Sequence, residues 1–313
     1  VTNHPRPAWL MVAFGAGLTA LLTVAGCARV TSMSSELMMR STLAARILKK
    51  RSEPTPERPA VTGDSVHLTS AVISTTTLAS AETPVEELPE AEPTKDPCPP
   101  NMVSIEGRFC IDKYEASLVE ILPDGEERPF PYFERPAGHN VRAVSEKGVY
   151  PQAHISGREA AAACKASGKR LCKPHEWKMA CKGPENLKYG YDNKRSPGTC
   201  NDNGRSPLGY YHAAAVKNGS AFSSYKIMND PQLNQLPGTL AETGSHEGCT
   251  NGYGVYDMVG NIHEWVDDPA GTFQGGYYLD VEQNGEGCGY RTDAHNFTYH
   301  DYSTGFRCCA DIE

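Results

Sequence analysis

Cysteine is the residue type with the most chemistry to offer in this sequence. Cys27 stands alone near the start, and ten more lie between Cys98 and Cys309. A thiolate can act as nucleophile, soft metal ligand or half of a disulfide, depending on compartment and neighbours. Eleven cysteines are too many for a typical reduced cytosolic protein. Histidine comes second: His154, His175, His212, His246, His263, His295 and His300 all follow Cys98. No HExxH pair, glycine-rich phosphate loop or convincing Ser/His/Asp set accompanies them, so each is most simply a surface or hydrogen-bonding residue. The third feature is Asp257-Met-Val-Gly260-Asn-Ile262-His-Glu264. Two carboxylates and backbone carbonyls around a tight turn are hard oxygen ligands of the kind that suits Ca²⁺. The alternative is that Asp257 and Glu264 cap the turn and face solvent. The net charge of -8 and the lack of a basic stripe argue against a nucleic-acid partner.

The N-terminus sets the redox context. Arg6 and His4 precede an uncharged apolar run, Trp9 to Ala25, which ends in Val24-Ala25-Gly26-Cys27. A positive start, an apolar core and small residues before a cut site define a secretory signal over residues 1–26. A cysteine directly after Ala-Gly resembles the lipobox of bacterial lipoproteins, in which that thiol is acylated. Acyl chains would then hold Cys27 to the membrane at about 0.8 kcal/mol per buried CH₂. An uncleaved transmembrane anchor with an incidental Cys27 is the alternative. Either way the bulk of the chain is expected outside the cytoplasm, where disulfides persist. Ala28 rather than Asp after the cysteine favours, by the same resemblance, the outer membrane or periplasmic face.

The elements that must position these residues begin late. Leu37, Met38, Leu43, Ile47 and Leu48 recur near helical spacing, but a solvated stalk explains them as well. From Glu53 to Lys95 the chain is rich in Pro, Thr, Ser, Ala and Glu, as in Pro84 to Pro93. Such a stretch cannot bury enough surface to offset its ordering entropy, so residues 27–96 read as an extended spacer. Residues 97–313 form one domain. Ser156-Gly-Arg-Glu159 is a capping box that starts a helix, and Gly168 stops it. Pro174 opens a second helix whose Trp177, Ala180 and Cys181 share a face, with Gly183 as its stop. Short strands and long glycine-rich loops fill the rest.

Four segments, in order, resemble one family. They are Met102-Val-Ser-Ile-Glu-Gly-Arg-Phe-Cys-Ile-Asp-Lys-Tyr-Glu115; His154-Ile-Ser156 through Gly168-Lys-Arg-Leu171 and Glu176-Trp177 to Ala180-Cys181; Gly252-Tyr-Gly-Val-Tyr-Asp-Met-Val-Gly-Asn-Ile-His-Glu-Trp265; and Gly275-Gly276 followed by Gly305-Phe-Arg-Cys308. Together they resemble the formylglycine-generating enzyme, or sulfatase-modifying factor, domain over about Met102 to Ala310. The resemblance implies an α+β, C-type-lectin-like fold with little regular secondary structure. It implies structural calcium at Asp257, Gly260, Ile262 and Glu264, and a poorer second site near Asn201 and Asp202. It also implies the bonds Cys164–Cys308 and Cys181–Cys288. Local pairing then points to Cys98–Cys110 and Cys200–Cys249, leaving Cys172–Cys309.

The family's chemistry oxidises a substrate cysteine to formylglycine with O₂, using two thiolates, five residues apart, that hold Cu(I). Asp280 stands where the first belongs and an acidic or polar residue near Gln283–Gly285 where the second belongs. Carboxylates are poor Cu(I) ligands, so copper is not expected. Asp280, His295 and Asp293 are the candidates for a redirected site. The expected function is a lipid-anchored binding or scaffolding module with a protein or glycan ligand in the envelope. The alternative is an oxidoreductase of the same family with a changed metal site.

Overall fold

The computed structural model describes residues 97–312. The signal, Cys27, the spacer to residue 96 and Glu313 lie outside the described residues.

Three small sheets and two principal helices make the domain. Strands β1 (Met102–Ile105) and β2 (Phe109–Asp112) form a hairpin. β3 (Ala116–Ile121) pairs antiparallel with both β4 (Glu127–Pro129) and β5 (Val141–Ser145). Helix α1 (Gly157–Ala166) starts as its capping box dictates. The Ser156 hydroxyl accepts from the Glu159 amide at 3.3 Å, and the Glu159 carboxylate accepts from the Ser156 amide at 2.9 Å. Strand β6 (Arg170–Leu171) leads into helix α2 (Pro174–Lys182). Pro174 opens that helix and Gly183, at φ 69°, follows it. Three further helices are short: α3 (Pro207–Tyr211), α4 (Ala213–Lys217) and α5 (Tyr225–Met228). Serine caps begin α3 and α5, but segments of five residues or fewer show no apolar period, so they were expected only as loop.

The C-terminal segment joins two sheets. β10 (Thr304–Phe306) runs parallel to β7 (His263–Trp265), with Gly305 opposite Glu264. Beyond β7 lie β8 (Phe273–Gln274) and β9 (Arg291–Thr292). One residue later β11 (Cys308–Ala310) sits between β2 and β6 in the other sheet. Gly305 has no room for a side chain: a Cβ there would lie 2.8 Å from the Gln152 carbonyl oxygen and 2.9 Å from Ile262.

Five disulfides staple this frame: Cys98–Cys110, Cys164–Cys308, Cys172–Cys309, Cys181–Cys288 and Cys200–Cys249. They are the five pairs expected from the sequence. The adjacent Cys308 and Cys309 point to opposite faces of β11, as strand alternation requires. One therefore bonds to α1 and the other to Cys172 beyond β6. The mixed α+β content, the sparse regular structure and the dense cross-linking agree with the expected fold class. Among the described residues, no helix is long and apolar enough to cross a membrane.

Candidate functional site

Alternation along β7 separates two chemistries. His263 and Trp265 face one way and Glu264 the other. The Glu264 side enters a buried charge cluster; the His263 side lines a cavity.

The cavity has a volume of about 330 Å³. Its floor is made by the turn after the paired glycines. Gly275 and Gly276 have φ of 85° and 74°, and a Cβ on Gly276 would lie 2.3 Å from the Asp280 carbonyl oxygen. Glycine is therefore required there. Tyr277 and Asp280 bridge through two 2.9 Å backbone hydrogen bonds. Asp280 Oδ1 accepts from the amides of Glu282 and Gln283, both at 3.0 Å. Its Oδ2 accepts from the Tyr290 hydroxyl at 3.3 Å. That hydroxyl also lies 3.4 Å from His263 Nε2 and accepts from Asn284 Nδ2 at 3.3 Å. The other His263 nitrogen faces the Ser303 carbonyl at 3.2 Å and hydroxyl at 3.3 Å. Asp301 anchors the far wall, where Oδ1 accepts from the Ser303 amide and hydroxyl, both at 2.8 Å, and Oδ2 from the Tyr299 hydroxyl.

Burial decides the protonation of this chain. It lowers His263 to about 4, so the imidazole is neutral at neutral pH. Burial and the neighbouring Asp280 charge raise the Tyr290 phenol well above its usual value, so it keeps its proton. The site thus presents neutral rings and hydroxyls around two carboxyl groups.

Of the three candidates for a redirected site, Asp280 and His295 line the cavity. The His295 ring stacks on Tyr299 at 3.8 Å and on Phe273 at 5.8 Å. Asp293 is not among the lining residues; its side chain is 70% exposed and lies 3.7 Å from Arg291. Most of the wall, including His263, Tyr290 and Asp301, had no part in the sequence-based site. His263 sits inside the third motif segment, and His300-Asp-Tyr-Ser303 is a polar cluster close to the last one, but neither pattern specifies a cavity.

All ten cysteines among the described residues are in disulfides. The family resemblance sets Asp280 against the first thiol position. Five residues on is Gly285 at φ 111°, where a Cβ would lie 2.5 Å from the Gly289 carbonyl oxygen. The backbone there excludes any side chain, a thiol included.

On the other face of β7 the calcium candidates meet a different partner. Glu264 Oε2 accepts from Arg307 Nε at 2.6 Å and from Trp177 Nε1 at 2.6 Å, while Oε1 accepts from Arg307 Nη2 at 2.7 Å. Glu264 is 1% exposed and Arg307 fully buried. Asp257 Oδ2 accepts from the Gly244 amide at 2.7 Å, and burial raises this carboxyl to about 6. Glu115 is buried beside them, with Oε2 accepting from Asn261 Nδ2 at 2.6 Å and Oε1 without a donor. Gly260 packs against Asn201, whose carbonyl oxygen a Cβ would approach to 2.5 Å. Ile262 is buried in the core. Three carboxyl groups therefore share one guanidinium, and Glu264 uses both oxygens on N–H donors. An ion ligated by Glu264 has to share this carboxylate with Arg307 and Trp177. At the second candidate site, Asp202 pairs with Arg195 Nε at 2.6 Å and Asn201 Nδ2 donates to Asn261 Oδ1 and the Thr239 carbonyl, both at 2.8 Å. Among the described residues, no cluster of three or more His, Cys, Asp or Glu side chains is placed to hold a metal.

Comparison with known proteins gives these geometries a family. The sulfatase-modifying factor enzyme 1-like domain matches residues 69–312, starting within the stretch read as spacer. A protein of Bos taurus named inactive C-alpha-formylglycine-generating enzyme 2 is 30% identical over 53% of this chain and 47% of its own length. A formylglycine-generating enzyme of Thermomonospora curvata is 28% identical over 45% of this chain and 40% of its own. This chain thus spans less than half the length of each of these relatives. Among solved structures, PvdO from Pseudomonas aeruginosa aligns at 15% identity with a TM-score of 0.38, over 65% of this chain and 80% of that one. The chain belongs to the sulfatase-modifying factor enzyme 1-like family.

Proposed function

We propose that this protein is a non-catalytic binding module of its family, held at a membrane through lipid on Cys27, with the cavity beside Asp280 as its ligand site. The observation that carries the reading is the fate of the thiols. Every described cysteine is bonded; by the family resemblance Asp280 falls at one copper-ligand position, and Gly285, where a side chain does not fit, lies at the five-residue spacing of the other. Cu(I) requires soft ligands, and this cavity offers carboxyl, hydroxyl and imidazole groups instead. The relative named as inactive supports the same direction. Five disulfides suit an oxidising, extracytoplasmic setting. The test is to incubate the full chain with Cu(I), O₂ and cysteine-containing peptides and to follow the peptide mass. No conversion is expected; formylglycine formation would overturn the reading.

A structural calcium at Asp257, Gly260, Ile262 and Glu264 is a separate part of the proposal. The surplus of buried carboxyl groups and the donorless Glu115 Oε1 support it. Calcium added to chelator-treated protein should raise Tm. An unchanged Tm on adding calcium to chelator-treated protein would remove the ion from the account.

A further inference from the structure

The binding-module reading leaves the ligand unnamed, and the wall chemistry narrows it. Rings make up much of the lining, among them Phe273, Tyr277, Tyr290, Tyr299 and Tyr302. Among the described lining residues Asp280 and Asp301 are the only acidic side chains, and none is Lys or Arg. The nearby Arg291 directs its guanidinium at Thr272, Asp268 and Asp293 instead. The hydroxyls of Tyr290 and Tyr299 already donate to the two carboxyl groups. Gln283, also in the wall, has a buried Oε1 with no donor. The lining therefore combines aromatic rings with carboxyl and amide oxygens.

That combination is complementary to a cation that brings its own N–H or N–CH₃ groups. Ring faces attract cations through their quadrupole, and a desolvated position strengthens the attraction. Carboxyl groups supply the counter-charge, with no Lys or Arg among the described lining residues to offset it; the basic groups there are the imidazoles of His263 and His295. A neutral sugar can also donate its hydroxyls to these acceptors, but it brings no charge to meet the two carboxyl groups. A volume of about 330 Å³ admits a small head group with a short chain.

We propose that the cavity binds an organic ammonium group, primary or N-methylated, seated among the tyrosine rings with Asp280 and Asp301 as its counter-charges. The inference rests on the binding-module reading and adds the ligand class to it.

The test uses the full chain with its disulfides intact, titrated calorimetrically with four probes: Nα-acetyl-lysine methylamide, its Nε-trimethyl and Nε-acetyl forms, and methyl glucoside. The two cationic probes should bind saturably. The acetylated probe and the glycoside should bind at least about tenfold more weakly. Asp280→Asn should weaken the cationic probes about tenfold with its Tm retained. Should that variant fail to fold, salt titration of the natural protein serves instead, since added salt must weaken the cationic probes and not the glycoside. Equal affinity for the acetylated probe, preference for the glycoside, or no binding of either cation would overturn the ammonium assignment. Such a result with all ten cysteines bonded and no peptide oxidation leaves the module reading standing, whereas peptide oxidation overturns that reading itself.

Discussion

Arg307 is the most demanding residue in the structure to replace. It is fully buried, makes two hydrogen bonds to Glu264, and donates to the carbonyls of Asp112 at 3.1 Å and Tyr256 at 2.9 Å. Arg307→Met removes all four and strands a buried carboxylate. Breaking a buried pair from one side typically costs about 3–5 kcal/mol. Each stranded carbonyl adds about 1 kcal/mol or more. The total, on the order of 5 kcal/mol, approaches the whole stability of an ordinary domain. The double variant Arg307→Met/Glu264→Gln removes the stranded charge while keeping an acceptor for Trp177. It should recover about 2 kcal/mol of the loss, a coupling typical of contacting residues. The assay is urea unfolding with disulfides intact, followed by fluorescence of the buried Trp177 and Trp265, in chelator and again in calcium. A coupling below about 0.5 kcal/mol would mean that Arg307 is not the counter-charge of Glu264. A rescue of the single variant by calcium would instead support the ion.

Other consequences are more local. Cys164→Ser/Cys308→Ser opens a bond spanning 144 residues and should lower stability by about 2–5 kcal/mol in thermal or urea unfolding. Gly276→Ala should destabilise by more than about 1 kcal/mol and shift the Asp280 turn, visible as loss of cationic-probe binding, because φ is 74° and the new Cβ meets a backbone oxygen. His154 is buried and lowered to about 4, so the native state binds fewer protons than the unfolded state between that value and 6.5. Stability is therefore lost as pH falls through this window, and His154→Gln should flatten the profile by up to about 3 kcal/mol between pH 7 and 4. An equally steep profile in the variant would rule His154 out as the source.

What the sequence disclosed was largely local. Ser156 and Glu159 cap a helix three residues apart, and Pro174 with Gly183 brackets another, so both helices were legible. The cavity wall was not. Asp293 was chosen for its nearness to Cys288 along the chain, yet it faces solvent beside Arg291. Asp301 enters because the turn at Asp301–Ser303 folds back beside β7, which depends on the parallel pairing of Thr304 with His263. Likewise the sequence around Asp257 and Glu264 shows oxygen ligands, but the guanidinium that takes both Glu264 oxygens comes from 43 residues away. Arg307 lay within the quoted Gly-Phe-Arg-Cys segment without any sign of its partner. Strand alternation along β7 separated His263 from Glu264, and three residues at its centre are too few to reveal that period.

The central claim is that no thiol from Cys98 to Cys309 remains for copper chemistry. Alkylation of the unreduced, denatured protein followed by peptide mapping tests it directly, with Cu(I) uptake measured on the native protein in parallel. The account predicts no label on any cysteine from Cys98 to Cys309 and no tight copper binding. Two labelled cysteines together with stoichiometric Cu(I) would contradict it.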